Sequence, residues 1–160
     1  METVSLTPDD FSLALHIASQ REMDSLRRER TDRLWIKDNW VDELTPHLLG
    51  GIGEVAFAKW SDTFVRASVG QFSGMASDCS GNVEIRMRAK SYYDLILREN
   101  DPKDRRYVLV RGLPPNEVEI AGWCWGHEGM RDEFIANHGG YGKAWFVPAE
   151  KLRSMEEWER

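Results

Sequence analysis

Helix-forming patterns occupy the first third of this chain and strand-forming patterns most of the remainder, a division that restricts the fold to few classes. Thr7-Pro8-Asp9-Asp10 has the residues of a helix start, with an N-cap, proline at the first helical position and acids in the first turn. We predict one helix over about residues 8–30 and a second, mostly apolar and deeply buried, over 52–60. Pro46 and Gly50-Gly51 are expected to break the chain before this second helix.

Strand patterns then follow, separated by turns that contain proline. They lie at residues 93–98, 107–111, 117–125 and 144–147. Because helices precede strands rather than alternate with them, we expect an α+β fold with a mixed, largely antiparallel central sheet flanked by helices. Residues 1–160 are expected to form a single domain. Its parts are an N-terminal helical region over about 8–48, a core over about 50–150 and a C-terminal helix over about 149–158.

Charge and cysteine content restrict the partners and the compartment. A formal net charge of −6 disfavours wholesale wrapping of nucleic acid, so any such contact needs a local basic patch. The two cysteines, Cys79 and Cys124, are too few for a disulfide framework, which fits a reducing compartment. The sequence has no apolar run of 18 residues and no secretory signal pattern. We therefore expect a cytoplasmic protein with no membrane partner.

Two carboxylates are predicted to face each other across a tight turn. If Ser80-Gly81-Asn82 is a three-residue hairpin loop, with Asn82 in the left-handed conformation, Asp78 pairs with Glu84 on the next strand. Directly opposed side chains have Cβ atoms about 5 Å apart, and like charges in that relation destabilise a sheet. A divalent cation or a shared proton between the two carboxylates would relieve the repulsion.

Basic residues continue the same strand. Arg86 follows Glu84 by two positions and is expected on the same face, and Arg88 and Lys90 extend that face into a basic stripe. Such a stripe could follow a phosphate backbone. A second basic cluster stands in a proline-containing loop beside two acids, where we expect an ordinary solvated loop. Its members are Lys103, Arg105 and Arg106.

The order of these motifs resembles the PD-(D/E)XK nuclease superfamily, in which a helix beginning Gly-Glu precedes a strand Asp and a Glu-x-Lys strand. Gly53-Glu54 matches the helix motif, Asp78 the lone Asp and Glu84-Ile85-Arg86 the Glu-x-Lys motif. Three later segments are similar to a small nuclease-like family of phage and prophage proteins, so that the resemblance covers about residues 50–150. These segments are Leu95-Ile96-Leu97-Arg98, Tyr107-Val108-Leu109-Val110 and Ile120-Ala121-Gly122-Trp123.

This resemblance implies a restriction-endonuclease-like core that hydrolyses DNA phosphodiester bonds with Mg²⁺ or Mn²⁺ in the cytoplasm of a bacterial host. Asp78 and Glu84 would hold the metal, Glu54 would complete its ligands and Arg86 would bind the scissile phosphate. These four residues are the expected catalytic set. DNA, the expected substrate, would be contacted by the basic stripe of Arg86, Arg88 and Lys90.

Two departures from the motif keep two alternatives open, and the first is that no proline precedes Asp78. The superfamily usually has lysine where this chain has Arg86, and arginine binds phosphate well but cannot lose a proton to act as a base. Lys90 is a possible substitute. The first alternative is a catalytically inactive nuclease-like phage protein that binds a host protein or DNA. The second is a structural ion pair between Asp78 and Arg86, with Glu54 as an acid that only stabilises the start of its helix.

The remaining cysteine and tryptophans are expected to be structural. Cys124 alternates with Ile120 on a predicted strand, which favours a core side chain over a zinc ligand beside nearby histidines. Trp123 and Trp125 share one face of that strand. Packing beneath the last helix is favoured for them over stacking on bases.

Overall fold

The computed structural model describes residues 1–27, 40–63, 82–112, 117–136 and 143–159. Within these ranges two long helices, a four-stranded sheet and a three-stranded sheet form three successive layers. The helices are α1 (Pro8–Arg27), α2 (Trp40–Ser61) and the single-turn α3 (Gly126–Gly129).

Seven strands are described. They are β1 (Glu2–Ser5), β2 (Val83–Arg88), β3 (Leu95–Arg98), β4 (Arg106–Arg111), β5 (Glu117–Trp125), β6 (Ile135–Ala136) and β7 (Ala144–Val147). The four-stranded sheet has the order β1-β5-β4-β2, in which β2 and β4 run parallel and the other pairs antiparallel. The three-stranded sheet has the order β3-β7-β6 and is antiparallel. The α+β class and the mixed, largely antiparallel sheet are confirmed.

Two apolar clusters hold the layers together, one on each face of the four-stranded sheet. On the helical face, Ile85 and Val108 pack with Ile17 of α1 and Phe57 of α2. On the opposite face, alternate residues of β4 and β5 pack against β3 and β7. This second cluster contains Leu95, Leu97, Tyr107, Leu109, Ala121, Cys124, Trp145 and Val147. Both faces of β4 are therefore buried, which explains its nearly continuous apolar sequence.

The predicted start of α1 is confirmed in atomic detail. The Thr7 hydroxyl accepts a hydrogen bond from the Asp10 backbone N–H, and the Asp10 carboxylate accepts one from the Thr7 N–H. This reciprocal arrangement satisfies donors that the first helical turn leaves free. Asp10 also pairs with Lys59 at 2.6 Å and so connects α1 to the end of α2.

The predicted break before residue 52 is wrong, because α2 runs through Pro46 and Gly50-Gly51 without interruption. The glycines instead permit close packing on both sides of the helix. A Cβ atom on Gly51 would lie 2.8 Å from the Ala14 carbonyl oxygen of α1, and one on Gly53 would lie 2.9 Å from the Met87 Cβ of β2. Burial of residues 51–58 between these elements outweighs the poor helix propensity of glycine and proline.

The predicted C-terminal helix is also wrong. The segment forms two 3₁₀ turns, Ala149–Lys151 and Met155–Glu157. Between them, Arg153 exchanges two backbone hydrogen bonds with Trp123 of β5, at 3.1 and 2.8 Å. These bonds hold residue 153 extended and prevent a continuous helix. Trp123 and Trp125 nevertheless pack in the helical-face cluster with Trp158 from this segment, as expected of structural side chains.

The predicted strands agree closely with the structure, except that two are missing from the prediction. β5 and β7 have the expected bounds, whereas β3 begins two residues later than predicted. The short strands β1 and β6 were not predicted. The Asp78 side of the proposed hairpin lies outside the described residues. None of the described helices has the length and apolar character that crossing a bilayer requires.

The glycine contacts of α2 yield a stability prediction. Gly51→Ala should lower the free energy of unfolding by about 1–3 kcal/mol, because the new methyl group overlaps the fixed backbone carbonyl of Ala14. Gly50→Ala is the matched control, because its Cβ would meet only ordinary contacts at 3.7 and 3.9 Å. That variant should gain up to about 1 kcal/mol from better helix propensity. Urea denaturation measures both; equal stabilisation of the two variants would contradict close packing at Gly51.

Candidate functional site

The candidate site begins on β2, at the edge of the four-stranded sheet as described. Ile85 and Met87 point toward α2, where both approach the Cβ position of Gly53. Alternation along the strand places Glu84, Arg86 and Arg88 on the opposite face. The common face expected for Glu84 and Arg86 is thus found in the structure.

Glu84 is held by two arginines. Its Oε2 atom accepts a hydrogen bond from Arg105 at 3.0 Å, and its Oε1 lies 3.8 Å from the Arg86 guanidinium. Arg105 is only 6% exposed and also donates through Nε to the Asn82 side chain at 3.1 Å. Asn82 has φ of 60°, the left-handed conformation predicted for it. Strong neighbouring cations therefore neutralise the Glu84 carboxylate.

Arg105 is a site residue that the sequence interpretation missed, since its cluster was expected to be a solvated loop. The backbone N–H of Arg106 donates to the Asn82 carbonyl at the start of the parallel β2–β4 pairing. This pairing brings Arg105 beside Asn82 and Glu84. Its position depends on the parallel register of β2 and β4, and no local sequence pattern predicts that register.

Arg86 is oriented by a carboxylate from the turn after β3. Its guanidinium donates to Asp101 at 2.8 Å and lies 5.6 Å from the centre of the Tyr107 ring. The other oxygen of Asp101 accepts from the Arg98 backbone N–H at 2.9 Å, which fixes the carboxylate. Burial, with the added charge of Asp101, raises the pKa of Tyr107, so this phenol stays neutral.

Glu54 lies in a different environment. It stands in the middle of α2 rather than in a first helical turn, because the helix begins at Trp40. Its carboxylate accepts two hydrogen bonds from the Arg21 guanidinium of α1, at 2.7 and 2.8 Å, and the residue is 3% exposed. Glu54 therefore belongs to the helical layer, whereas Glu84 projects from the opposite face of β2.

The structure describes two of the three predicted metal ligands. Asp78 lies outside the described residues, and Glu54 and Glu84 each accept hydrogen bonds from an arginine. Within the ranges that the structure describes, no three His, Cys, Asp or Glu side chains come together as possible metal ligands. The two described carboxylates do not form a metal site by themselves, and the Mg²⁺ or Mn²⁺ site stays a prediction.

A groove of about 420 Å³ lies along β2, between α2 and β3. Three arginines, Arg86, Arg88 and Arg98, line it together with Tyr93 and part of α2. The volume falls within the range of about 300–1,000 Å³ common for ligand sites. The groove combines apolar side chains such as Ile85 and Met87 with a high local density of positive charge.

Arg88 differs from Arg86 in that it is half-buried without a carboxylate partner among the described residues. Its guanidinium lies 4.7 Å from the centre of the Tyr93 ring, and among the described residues no carboxylate comes within ion-pair distance of it. Burial lowers the pKa of Arg88, while the neighbouring Tyr93 and Asp94 oppose that shift. The Nε–H groups of Arg88 and Arg86 are buried without a hydrogen-bond acceptor. Such donors usually cost about 1–3 kcal/mol each if they stay unpaired.

Lys90 does not extend the strand face as predicted. β2 ends at Arg88, and Lys90 lies in the bend that follows. Its ammonium group lies 5.5 Å from the Tyr92 ring centre and 5.7 Å from that of Tyr93. A hydrogen bond with Tyr92 raises the pKa of Lys90. The basic stripe therefore consists of two strand arginines and a lysine on an aromatic turn.

Cys124 is a core residue, as predicted, but it does not share a face with Ile120 as the alternation implied: Ile120 lies in the helical-face cluster, and the β4–β5 pairing shifts register between the two positions. Cys124 lies in the cluster between the two sheets, and burial raises the pKa of its thiol to about 12. The thiol is therefore neutral near pH 7. The nearby His127 ring lies 3.2 Å from the Lys103 carbonyl oxygen.

Comparison of the chain with protein-family models, with curated proteins and with solved structures gives no match. The resemblance to the PD-(D/E)XK superfamily therefore depends on the short motifs alone.

The Glu54–Arg21 pair can be tested as a structural contact. Glu54→Gln and Arg21→Met should each lower the free energy of unfolding by about 3–5 kcal/mol, because each leaves a buried charge without its main partner. The double variant should lose clearly less than the sum of the two.

The Asp10–Lys59 pair provides the control, because it joins the same two helices but is more exposed. Its coupling energy in an equivalent double-mutant cycle should stay below about 1 kcal/mol. Urea denaturation gives all the values, and strictly additive losses at Glu54 and Arg21 would contradict the assignment.

Proposed function

We propose that this chain is a nuclease-like protein that binds nucleic acid through its phosphate backbone in the groove along β2. The observation that carries the proposal is the three-arginine wall of the groove, in which Arg88 and Arg98 have no carboxylate partner among the described residues. Asp101 orients the third, Arg86, without closing the groove. Arginine is the side chain best suited to phosphate because its planar fork donates two parallel hydrogen bonds.

Partial burial strengthens this case. Arg86 and Arg88 are half-buried, and their Nε–H groups are inaccessible to solvent. A phosphate in the groove would therefore be bound by the outer nitrogens of the two guanidinium groups. Partial exclusion of water also raises the strength of each charge interaction. Tyr93 stacks on Arg88 and holds its guanidinium plane in place.

The net charge of −6 limits the extent of the contact. Three arginines can engage about two or three phosphates, so binding should be local rather than a wrapping of the whole protein surface. The logarithm of the association constant should then fall with the logarithm of salt concentration with a slope near −2.

The binding proposal predicts the effect of removing one groove cation. Arg88→Met should weaken binding of a fluorescent oligonucleotide about tenfold, because it deletes a charge-assisted hydrogen bond but keeps the apolar stem. Arg131→Met is the matched control, since this exposed arginine pairs only weakly with Glu133 at 3.9 Å, outside the groove lining. Fluorescence anisotropy at several salt concentrations measures both. Equal losses in the two variants would show that binding depends on overall charge instead.

Metal-dependent hydrolysis of DNA is the second candidate. It is supported by the contact between the helix that carries Gly53-Glu54 and the strand that carries Glu84-Ile85-Arg86. A site that used both Glu54 and Glu84 would require these two elements to be neighbours. The shared face of Glu84 and Arg86 also fits the motif. Against it stand the arginine partners of both carboxylates, with which a metal ion would have to compete.

Two assays separate these functions. If binding depends on the arginines alone, Mg²⁺ should not strengthen oligonucleotide binding relative to EDTA, because a cation that associates with phosphate competes with the arginines. DNA incubated with Mg²⁺ or Mn²⁺ should also remain intact. Cleavage that disappears in Glu84→Gln would instead establish the nuclease. A calorimetric Mn²⁺ titration of the wild type and of Asp78→Ala would then show whether Asp78 is a ligand.

A further inference from the structure

From the turn that follows β2, we infer that the groove takes single-stranded nucleic acid, whose bases stack on Tyr92. This inference rests on the proposed function and specifies the substrate class. Tyr92 is 68% exposed, although it is a large aromatic residue. It belongs to neither apolar cluster of the described core. Its position is therefore not explained by packing between the layers.

The turn places aromatic rings directly beside the groove cations. The Tyr93 N–H donates to the Lys90 carbonyl at 3.1 Å, which fixes the turn. Tyr93 lines the groove beneath Arg88, and its ring centre lies 5.0 Å from that of Tyr92 in an edge-to-face arrangement. Tyr93 thus lies inside the groove beside the arginines, and Tyr92 lies next to it on the protein surface.

Each of the two tyrosine rings has a cation beside it. Arg88 lies over Tyr93, and Lys90 lies near both rings. The spacing of charge and aromatic surface matches the two repeating parts of a single strand, which are phosphate and base. Proteins that bind single strands combine a positive groove with aromatic rings on which bases stack. Because bases in a duplex are already stacked and paired, an exposed ring at this position discriminates in favour of unpaired bases.

The exposure of Tyr92 makes it a suitable position for a test, because its replacement disturbs little of the fold. Tyr92→Ala should weaken binding of a labelled oligothymidylate about tenfold and leave binding of a duplex of equal length unchanged. Tyr92→Phe should keep the affinity for the single strand, since the stacking surface remains. Oligouridylate in a parallel titration compares RNA with DNA. Preference for either single strand over the duplex supports the inference.

The outcomes separate the single-strand inference from the proposed binding of phosphate in the groove. If wild-type protein binds no oligonucleotide, the proposed function itself fails. If binding depends on Arg88 but the duplex binds as tightly as the single strand, or if Tyr92→Ala changes nothing, the groove binds phosphate and only the single-strand inference is overturned. Circular dichroism of each variant checks that the fold is retained.

Discussion

The close packing of α2 against both α1 and β2 is the contact on which the rest of the structure depends. Gly51 lets the helix approach the backbone of Ala14, and Gly53 lets it approach Met87. The inward side chains of β2 are thereby committed to the helical face, so its alternate residues must project from the other side. One groove wall, with Arg86 and Arg88, follows directly from this helix contact.

Ion pairing then determines which charges remain available. Glu54 is neutralised by Arg21, Glu84 mainly by Arg105, and Arg86 is oriented by Asp101. Buried carboxylates are retained only when such partners offset their desolvation. Because Arg88 has no comparable partner among the described residues, the surplus charge of the groove is positive. This surplus favours binding of an anion over the cation that the motif resemblance implies.

The sequence predicted part of the candidate site and missed another part for a definite reason. The common face of Glu84 and Arg86 and the left-handed Asn82 follow from local rules of strand alternation and turn chemistry, and both are found. Arg105 was missed because its place beside Glu84 depends on the parallel register of β2 and β4. The end of β2 before Lys90 was likewise not visible in the alternation of charges.

The sequence by itself determined the α+β class, the start of α1 and most strands, because caps, periodicity and turns act over a few neighbouring residues. Only the tertiary structure decided that α2 continues through Pro46 and Gly50-Gly51, since burial on two sides outweighs local propensity. It also replaced the expected last helix with two 3₁₀ turns, because Arg153 pairs with Trp123. The tertiary structure also decided the partners of Glu54 and Glu84, because these ion pairs form between residues that are distant in the chain.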